Sequence, residues 1–388
     1  MTVGRWTMGA LLACLLLAAC GGGNGESDPC SECLPDQRCD EDTGVCVESG
    51  PASLEGTDLA PRLAGTWNDG EPVVMVFDRI GQRFLFGTGQ PGQESWETAA
   101  LSDEAIPPPG GPHIVLVSLS AQPAFLAETA PGELSLLRRS SDGWERFPAG
   151  ELPGPLTGLA AVPETGQGFH VCAGDVQGTL WSAEGSGDQV TWNPVDAEFP
   201  EGTPAAPCAM GSPGGQPVLV AALRPAGLVS LWQDQDDSWQ LDVLDAAARP
   251  VALAVAPSEK GLAAAWVDGV TGELRMARGE GGGIEVVTAA AASPESAAAC
   301  TISLATSPNG LMRLAFRNAD TRQFVLLGPQ PSGPGFEPLG SVSQDLPLVP
   351  LLGFSSIGES LAVGVEHPEP GKPGAGSYRK IDFSSPSL

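Results

Sequence analysis

The stretch 217–244, PVLVAALRPAGLVSLWQDQDDSWQLDVL, decides how the rest of the chain is interpreted. A short apolar run leads to a turn ending in Gly227, followed by a second alternating run, a polar loop and a third run opening on Trp239. Alternation of apolar and polar residues over so few positions indicates β-strands. The stretch therefore predicts three strands, the first two joined by a tight turn in which glycine supplies a positive φ.

The same pattern recurs at intervals of 45 to 52 residues. The turns end in Gly81, Gly132, Gly178, Gly227 and Gly272, and Asp320 takes this place in the sixth unit. The third run opens on Trp96, Trp144, Trp192, Trp239, Ile284 and Phe336. Asp tolerates the left-handed backbone region better than most residues, so Asp320 is expected to adopt it as the glycines do. The large residues are predicted to anchor the packing between units.

A further run of small apolar residues, such as LTGLAAV or VALAVA, precedes each hairpin and brings the count to four strands per unit. Four short strands repeated in this way are the signature of a β-propeller blade. Residues 59–388 divide into seven such units, so the sequence predicts an all-β, seven-bladed propeller, with six or eight blades as alternatives. The last unit lacks a fourth strand, which residues 51–57 could supply. A pair of β-sandwiches is the competing fold, and the regular spacing disfavours it.

The first 19 residues have the form of a secretory signal, with Arg5 before a short apolar run. Leu17-Ala18-Ala19-Cys20 resembles the lipobox of bacterial lipoproteins. The resemblance implies cleavage before Cys20 and lipidation of its thiol. It also implies an outer-membrane lipoprotein of the cell envelope, periplasmic or surface-facing, because Gly21 follows the cysteine. The alternative is an ordinary signal peptide. Residues 20–29, with no apolar side chain after Cys20, are predicted to form a flexible tether.

Residues 30–47 form a cysteine-rich module, and residues 48–58 are predicted to be a linker or a closing strand. The cysteines are Cys30, Cys33, Cys39 and Cys46, spaced C-x2-C-x5-C-x6-C. An exported chain favours two disulfides over a zinc site, which usually has two close pairs. Four cysteines allow three pairings, and all three stay open. The segment is similar to cysteine-rich modules near the start of bacterial surface lipoproteins.

The formal net charge of −28 argues against a nucleic-acid partner, which requires a basic surface. No G-x-S-x-G, H-E-x-x-H or phosphate-loop motif occurs in the sequence. The histidines His113, His170 and His367 fall at different positions of their units, so no metal site is predicted. The acidic residues Asp234, Asp236 and Asp237 are predicted to form a solvated turn. No cofactor is expected.

Two motifs resemble those of known propeller families. Ser186, Asp188 and Trp192 resemble part of the Asp box of sialidase-like propellers. Asp268, Thr271 and Gly272 are similar to the D-x-x-T-G of quinone-enzyme repeats. Asp boxes are structural turns, so the first resemblance implies a packing role for the tryptophan.

Three further cysteines lie in the repeats. Cys172 and Cys208 fall in neighbouring units and could pair, or they and Cys300 could be three buried thiols.

A β-propeller without catalytic motifs is predicted to be a binding or scaffold protein. It is expected to be attached to the membrane through its acyl anchor and to bind a protein or a glycan. No ligand-binding or catalytic residue can be named from the sequence. The alternative function is a glycan-acting hydrolase or lyase.

Overall fold

The architecture is described from a computed structural model. The described residues are 37–40, 45–48, 59–68, 71–78, 81–88, 95–101, 112–118, 123–163, 168–200, 203–212, 216–258, 261–278, 285–288, 291–306, 310–321, 323–330, 335–343, 348–354, 360–366 and 378–382. The predicted signal (1–19), tether (20–29) and closing strand (51–57) lie outside them. So do Cys20, Cys30 and Cys33, together with Ile284 and His367.

The chain divides into two compact units, residues 1–50 and residues 51–388. In the first unit, β1 (Gln37–Asp40) and β2 (Val45–Glu48) form an antiparallel hairpin. Its register sets Cys39 opposite Cys46.

The second unit consists of antiparallel sheets whose strands follow one another in chain order. Sheet 1 contains β3 (Leu59–Asn68), β4 (Glu71–Asp78), β5 (Arg83–Thr88) and β6 (Ser95–Leu101). Sheet 2 contains β7 (Ile114–Ser118), β8 (Ala124–Ala130), β9 (Glu133–Ser140) and β10 (Gly143–Glu151). Sheet 3 contains β11 (Leu156–Pro163), β12 (Gly168–Asp175), β13 (Leu180–Ser186) and β14 (Gln189–Pro194).

The remaining sheets repeat this arrangement. Sheet 4 contains β15 (Thr203–Gly211), β16 (Val218–Arg224), β17 (Leu228–Gln233) and β18 (Trp239–Asp245). Sheet 5 contains β19 (Pro250–Ser258), β20 (Gly261–Asp268), β21 (Leu274–Arg278) and β22 (Glu285–Thr288). After a short 3-10 helix (Ala297–Ala299), sheet 6 contains β23 (Thr301–Thr306), β24 (Met312–Arg317), β25 (Gln323–Pro329) and β26 (Phe336–Ser343). Sheet 7 contains β27 (Leu348–Phe354), β28 (Ser360–Glu366) and β29 (Tyr378–Asp382).

The first strands of consecutive sheets contact one another, from β3 through β7, β11, β15, β19 and β23 to β27. β27 in turn contacts β3, so the series closes on itself. A closed ring of seven radially arranged sheets is a β-propeller, and the predicted fold is confirmed. Among the described residues, six sheets have four strands and the seventh has three.

The hydrophobic core lies between neighbouring sheets. Between sheets 1 and 2, the ring of Phe86 packs against the rings of Phe125 and Trp144, with centroids 6.0 Å and 4.9 Å away. Similar apolar clusters join sheets 2 and 3, 3 and 4, 4 and 5, and 5 and 6. Burying one large apolar side chain contributes about 1.5–3 kcal/mol. Sheets 2 to 5 therefore depend on both neighbours for their burial. No helix within the described ranges has the length and apolar character needed to cross a membrane.

A positive φ was predicted at one residue of the turn between the second and third strands of six sheets, and the prediction is confirmed in four of them. Gly132, Gly178, Gly227 and Gly272 have positive φ, at 80°, 86°, 135° and 69°. Two expectations are wrong. In sheet 1 the positive φ belongs to Gln82, at 48°, and not to Gly81. In sheet 6 Asp320 does not adopt positive φ, because the Asn318 side chain accepts hydrogen bonds from the N–H groups of Asp320 and Thr321 and closes the turn differently.

Candidate functional site

The buried acidic side chains at the ends of second strands are structural. Asp268 accepts hydrogen bonds at Oδ1 from the N–H groups of Val270 and Thr271, and at Oδ2 from the N–H of Arg249. Asp175 accepts in the same way from the N–H groups of Gln177 and Thr179. The D-x-x-T-G motif at Asp268 is therefore a turn cap rather than a catalytic group.

Two of the outer-strand tryptophans anchor one sheet on the next. The indole Nε1 of Trp144 in β10 donates to Glu97 in β6, at 2.7 Å. The Nε1 of Trp192 in β14 donates to the carbonyl oxygen of Ala149 in β10, also at 2.7 Å. The predicted packing role is confirmed for both residues.

Trp239, the next tryptophan in the row, differs. It begins β18 and is half-buried against the core between sheets 3 and 4, but its indole nitrogen makes no hydrogen bond to any described residue. Gly150 leaves room for Trp192, because an added Cβ at Gly150 would lie 2.7 Å from the indole ring. In the sequence, Glu198 lies six residues after Trp192, as Gly150 lies six residues after Trp144, and Glu198 lines a shallow depression together with Trp239.

A cleft of about 180 Å³ lies between sheets 3 and 4, with Trp239 in its wall. Buried Met210 and Leu219 contribute apolar surface. Its polar groups come from both sheets and are His170, Ser182, Glu184, Gln216 and Gln233.

His170 of β12 and Glu184 of β13 are cross-strand partners, and His170 Nδ1 lies 3.9 Å from Glu184 Oε1. The Glu184 side chain is 74% exposed, so its carboxylate is available to a ligand. On the other wall, Gln216 Nε2 donates to the carbonyl oxygen of Gln233 at 2.8 Å, which fixes the direction of that amide. The cleft thus presents an aromatic ring beside a carboxylate and an amide.

A wider, shallower depression of about 490 Å³ adjoins Trp239. The exposed acidic residues Asp196, Glu198 and Asp237 line it, with Ser238 and Gln240. No lysine or arginine lines either hollow within the described chain. The surface around Trp239 therefore favours a neutral or positively charged ligand over an anionic one.

The other residues that the sequence singles out have structural positions. His113 is buried, and its Nε2 lies 3.2 Å from the carbonyl oxygen of Leu156. Asp234 accepts hydrogen bonds from the Ser238 hydroxyl and from the N–H groups of Asp236 and Ser238, which lower its pKa below the ordinary value of 3.8. The acidic loop is thus the predicted turn. Within the described ranges, no group of three metal-ligating side chains comes together.

The cleft residues were not predicted as a site. Of its members, the sequence analysis considered His170, without giving it a site role, and Trp239, as a packing anchor. One sequence difference between the surroundings of Trp239 and those of Trp192 is position 198, a glutamate where the preceding unit has Gly150.

No protein-family model matches the chain, and no curated protein matches it. Several solved structures resemble it in three dimensions. A mutant of Aleuria aurantia lectin in complex with Fucα1-6GlcNAc is 17% identical, with 74% of this chain and 97% of that chain covered and a TM-score of 0.50. AofleA from Arthrobotrys oligospora is 12% identical, with 82% and 92% covered and a TM-score of 0.50. BBS1N in complex with ARL6DN is 13% identical, with 86% and 94% covered and a TM-score of 0.53. At these identities the likeness concerns the fold.

Proposed function

We propose that the chain is a glycan-binding β-propeller that holds a neutral or amino sugar in the cleft between sheets 3 and 4. The observation that carries the proposal is Trp239, which lines both hollows while its indole nitrogen is unbonded among the described residues. A tryptophan offers an apolar face together with a polar edge. The C–H face of a sugar ring can pack on the former.

The polar groups of the cleft suit sugar hydroxyls. Glu184 accepts hydrogen bonds, and the carboxamide of Gln216 can both donate and accept. Small-molecule sites combine apolar or aromatic walls with a few polar groups of this kind. The Aleuria aurantia lectin structures, in complex with Fucα1-6GlcNAc and with α-methyl-L-fucoside, support a saccharide as the ligand class for a propeller of this shape.

The cleft favours binding over hydrolysis. Glycoside hydrolases generally place two carboxyl groups across the scissile bond. Among the residues that the structure describes, the lining of the cleft contributes one carboxylate, Glu184, with His170 beside it. The hydrolase alternative therefore has no geometric support at this site.

The test is saccharide binding by the purified chain and its Trp239→Ala variant. The probes are α-methyl-L-fucoside, Fucα1-6GlcNAc, an amino-sugar oligomer of glucosamine and, as an anionic comparison, a glucuronic acid oligomer. We expect a neutral or amino probe to bind, and Trp239→Ala to weaken it at least about tenfold, the effect typical of a central aromatic contact. Isothermal titration calorimetry measures both affinities.

The matched control is Trp192→Phe, which changes the equivalent tryptophan one sheet earlier and should leave the affinity unchanged. The proposal fails if none of the neutral or amino probes binds, or if Trp239→Ala binds as tightly as the unaltered chain.

We also propose that the propeller is held at a bacterial cell envelope by a lipid on Cys20, as Leu17–Cys20 and the polar segment after it suggest. The cysteine-rich segment is proposed to contain two disulfides. The hairpin register, which sets Cys39 opposite Cys46, supports a bond between these two and leaves Cys30 to pair with Cys33. Peptide mapping of the oxidised chain tests this pairing.

A further inference from the structure

Two cysteines from different sheets meet in the core beneath the cleft. Cys172 lies on β12 of sheet 3 and Cys208 on β15 of sheet 4, and their Sγ atoms are 3.1 Å apart. Both side chains are buried, and both are free thiols in the structure. A disulfide bond is about 2.05 Å long, so a shift of roughly 1 Å would join the two sulfurs.

The backbone around the pair allows this close approach. β15 is irregular between Ala205 and Cys208, where the register with β16 shifts. Gly158 on β11 faces Cys208, and an added Cβ there would lie 3.0 Å from Cys208 N and 3.4 Å from its Sγ. The absence of a side chain at Gly158 thus lets the start of sheet 4 pack directly on sheet 3.

We propose that Cys172 and Cys208 are an oxidation site that forms a disulfide between sheets 3 and 4, whether or not the cleft above them binds a glycan. With oxidised glutathione as the oxidant, the thiolate of one cysteine attacks the glutathione disulfide and releases one glutathione thiol. The second cysteine then attacks the mixed disulfide and releases the other. One protein S–S bond forms, two protein thiols are oxidised, and one glutathione disulfide becomes two thiols.

The burial of the two thiols indicates whether the disulfide forms before or after the chain has folded. Burial, and secondarily the neighbouring Cys208, raises the pKa of the Cys172 thiol well above its ordinary value of 9.0. The thiolate is the reactive form, so the folded pair is protected from reagents in solution. The bond is therefore expected to form while the chain folds, and to resist reduction once sheets 3 and 4 have packed.

The pair lies on the strands that build the cleft. His170 is two residues before Cys172 on β12, and Met210 is two residues after Cys208 on β15. Residues two apart on a strand face the same side of the sheet. The disulfide would consequently fix the distance between two walls of the cleft from below.

The test is to unfold the full chain under reducing conditions, refold it in reduced and oxidised glutathione, block free thiols by alkylation and map the peptides by mass spectrometry. We expect a linked pair of peptides that contain Cys172 and Cys208, while Cys300 is alkylated. Cys300 is also buried, with its Sγ 3.7 Å from the carbonyl oxygen of Ala291. It is therefore the matched control for a buried thiol that has no second cysteine beside it among the described residues.

A second measurement compares the thermal stability of the oxidised chain with that of the reduced, alkylated chain. The bond would close a loop between cysteines 36 residues apart. On the chain-entropy relation this should raise the melting temperature of the oxidised chain by roughly 5 °C over the alkylated, reduced chain. Cys172→Ala should remove this contribution, whatever the disulfides of the cysteine-rich segment add, and Cys300→Ala should retain it. Full alkylation of Cys172 and Cys208 after refolding, or linkage of either one to a different cysteine, overturns the proposal.

Discussion

Gly272 and Gly187 have nearly the same backbone conformation in different surroundings. Their φ angles are 69° and 63°. A Cβ added at Gly272 would lie 2.0 Å from the carbonyl oxygen of Ala292, in the connection to sheet 6, whereas one added at Gly187 would meet nothing within 4 Å. Gly272 also accepts hydrogen bonds from the N–H groups of Ala291 and Ala292. Two features therefore require glycine at position 272: its positive φ, and the close approach of the segment that connects sheets 5 and 6, which leaves no room for a Cβ.

Gly272→Ala should destabilise the propeller more than Gly187→Ala. A left-handed conformation costs an L-residue about 1–2 kcal/mol, and a forced contact in a packed region adds about 1–3 kcal/mol. We expect a loss near 3 kcal/mol for Gly272→Ala and about 1 kcal/mol for Gly187→Ala, measured by denaturant unfolding. Equal losses for the two variants would show that φ alone makes the glycine necessary.

The sequence predicted such turns where glycine was necessary, and failed where a side chain could replace it. Gly132, Gly178, Gly227 and Gly272 follow the expected pattern. In the sixth unit the closing group is Asn318, two residues before the predicted position. An Asn or Asp side chain can bond the backbone two residues on and close a turn without positive φ. Periodicity alone cannot distinguish these two solutions.

Asp268 links three pieces of sheet 5 through one buried carboxylate. It ends β20, caps the turn to β21 through Val270 and Thr271, and accepts the N–H of Arg249 just before β19. Burial, the largest influence, raises its pKa. The hydrogen bonds from Thr271, Arg249 and Val270 outweigh burial and leave the pKa below the ordinary value of 3.8. The folded chain therefore favours the ionised form.

Asp268→Asn should cost about 1–2 kcal/mol at neutral pH, because hydrogen bonds to a charged acceptor become bonds to a neutral one. The folded pKa is the lower one, so the carboxylate stabilises fully above the unfolded pKa of 3.8 and loses this effect as pH falls toward the folded pKa. The stability difference between the two chains should accordingly shrink as the pH falls below 3.8.

Urea unfolding at a series of pH values measures this difference. Asp242→Asn, an exposed change on β18, controls for the loss of one negative charge. A difference that stays constant from neutral to acid pH would mean that the ionised form of Asp268 has no special role.

The strands were more predictable than the cleft. Short alternating runs with regularly placed turns specify strands and their order, because each strand needs one apolar face. The cleft lies at the interface between two sheets. The spacing of the repeats is nearly the same at every interface, so it does not show which interface contains a cleft. Trp192 and Trp239 look equivalent in the repeat, yet the first is hydrogen-bonded to Ala149 and the second lines two hollows. Contacts between sheets, such as that of Cys172 with Cys208, are set by packing that no single unit encodes.

At the scale of the whole molecule, the ring has a junction between its last and first sheets. β27 and β3 contact each other across this junction, although among the described strands they belong to separate sheets. In the sequence, the proposed anchor at Cys20 precedes β3, the first described strand of the ring. Anchoring is therefore a property of the whole chain, which the propeller alone does not determine.

Cys20→Ala should abolish lipid attachment. In bacterial cells expressing the chain and fed a clickable fatty acid, the unaltered protein should carry the label, and Cys20→Ala should lose it, because the proposed acyl acceptor is that thiol. Cys300→Ala, which removes a buried cysteine, should stay labelled. Equal labelling of Cys20→Ala and the unaltered chain, or no label in either, rejects the proposed anchor.

The junction has a mechanical consequence. In the part of the ring that the structure describes, the first strand is β3, which begins at Leu59 opposite Asp78 of β4, and tension applied to β3 would act there. β3 is the inner strand of sheet 1 and contacts both β27 and β7. Separating β3 from the ring would break its ladder with β4 and remove its contacts with β27 and β7 at the same time. The ring would therefore open at this one strand. Resistance to pulling is then set by sheet 1 and its two neighbours, whatever the stability of the sheets farther round the ring.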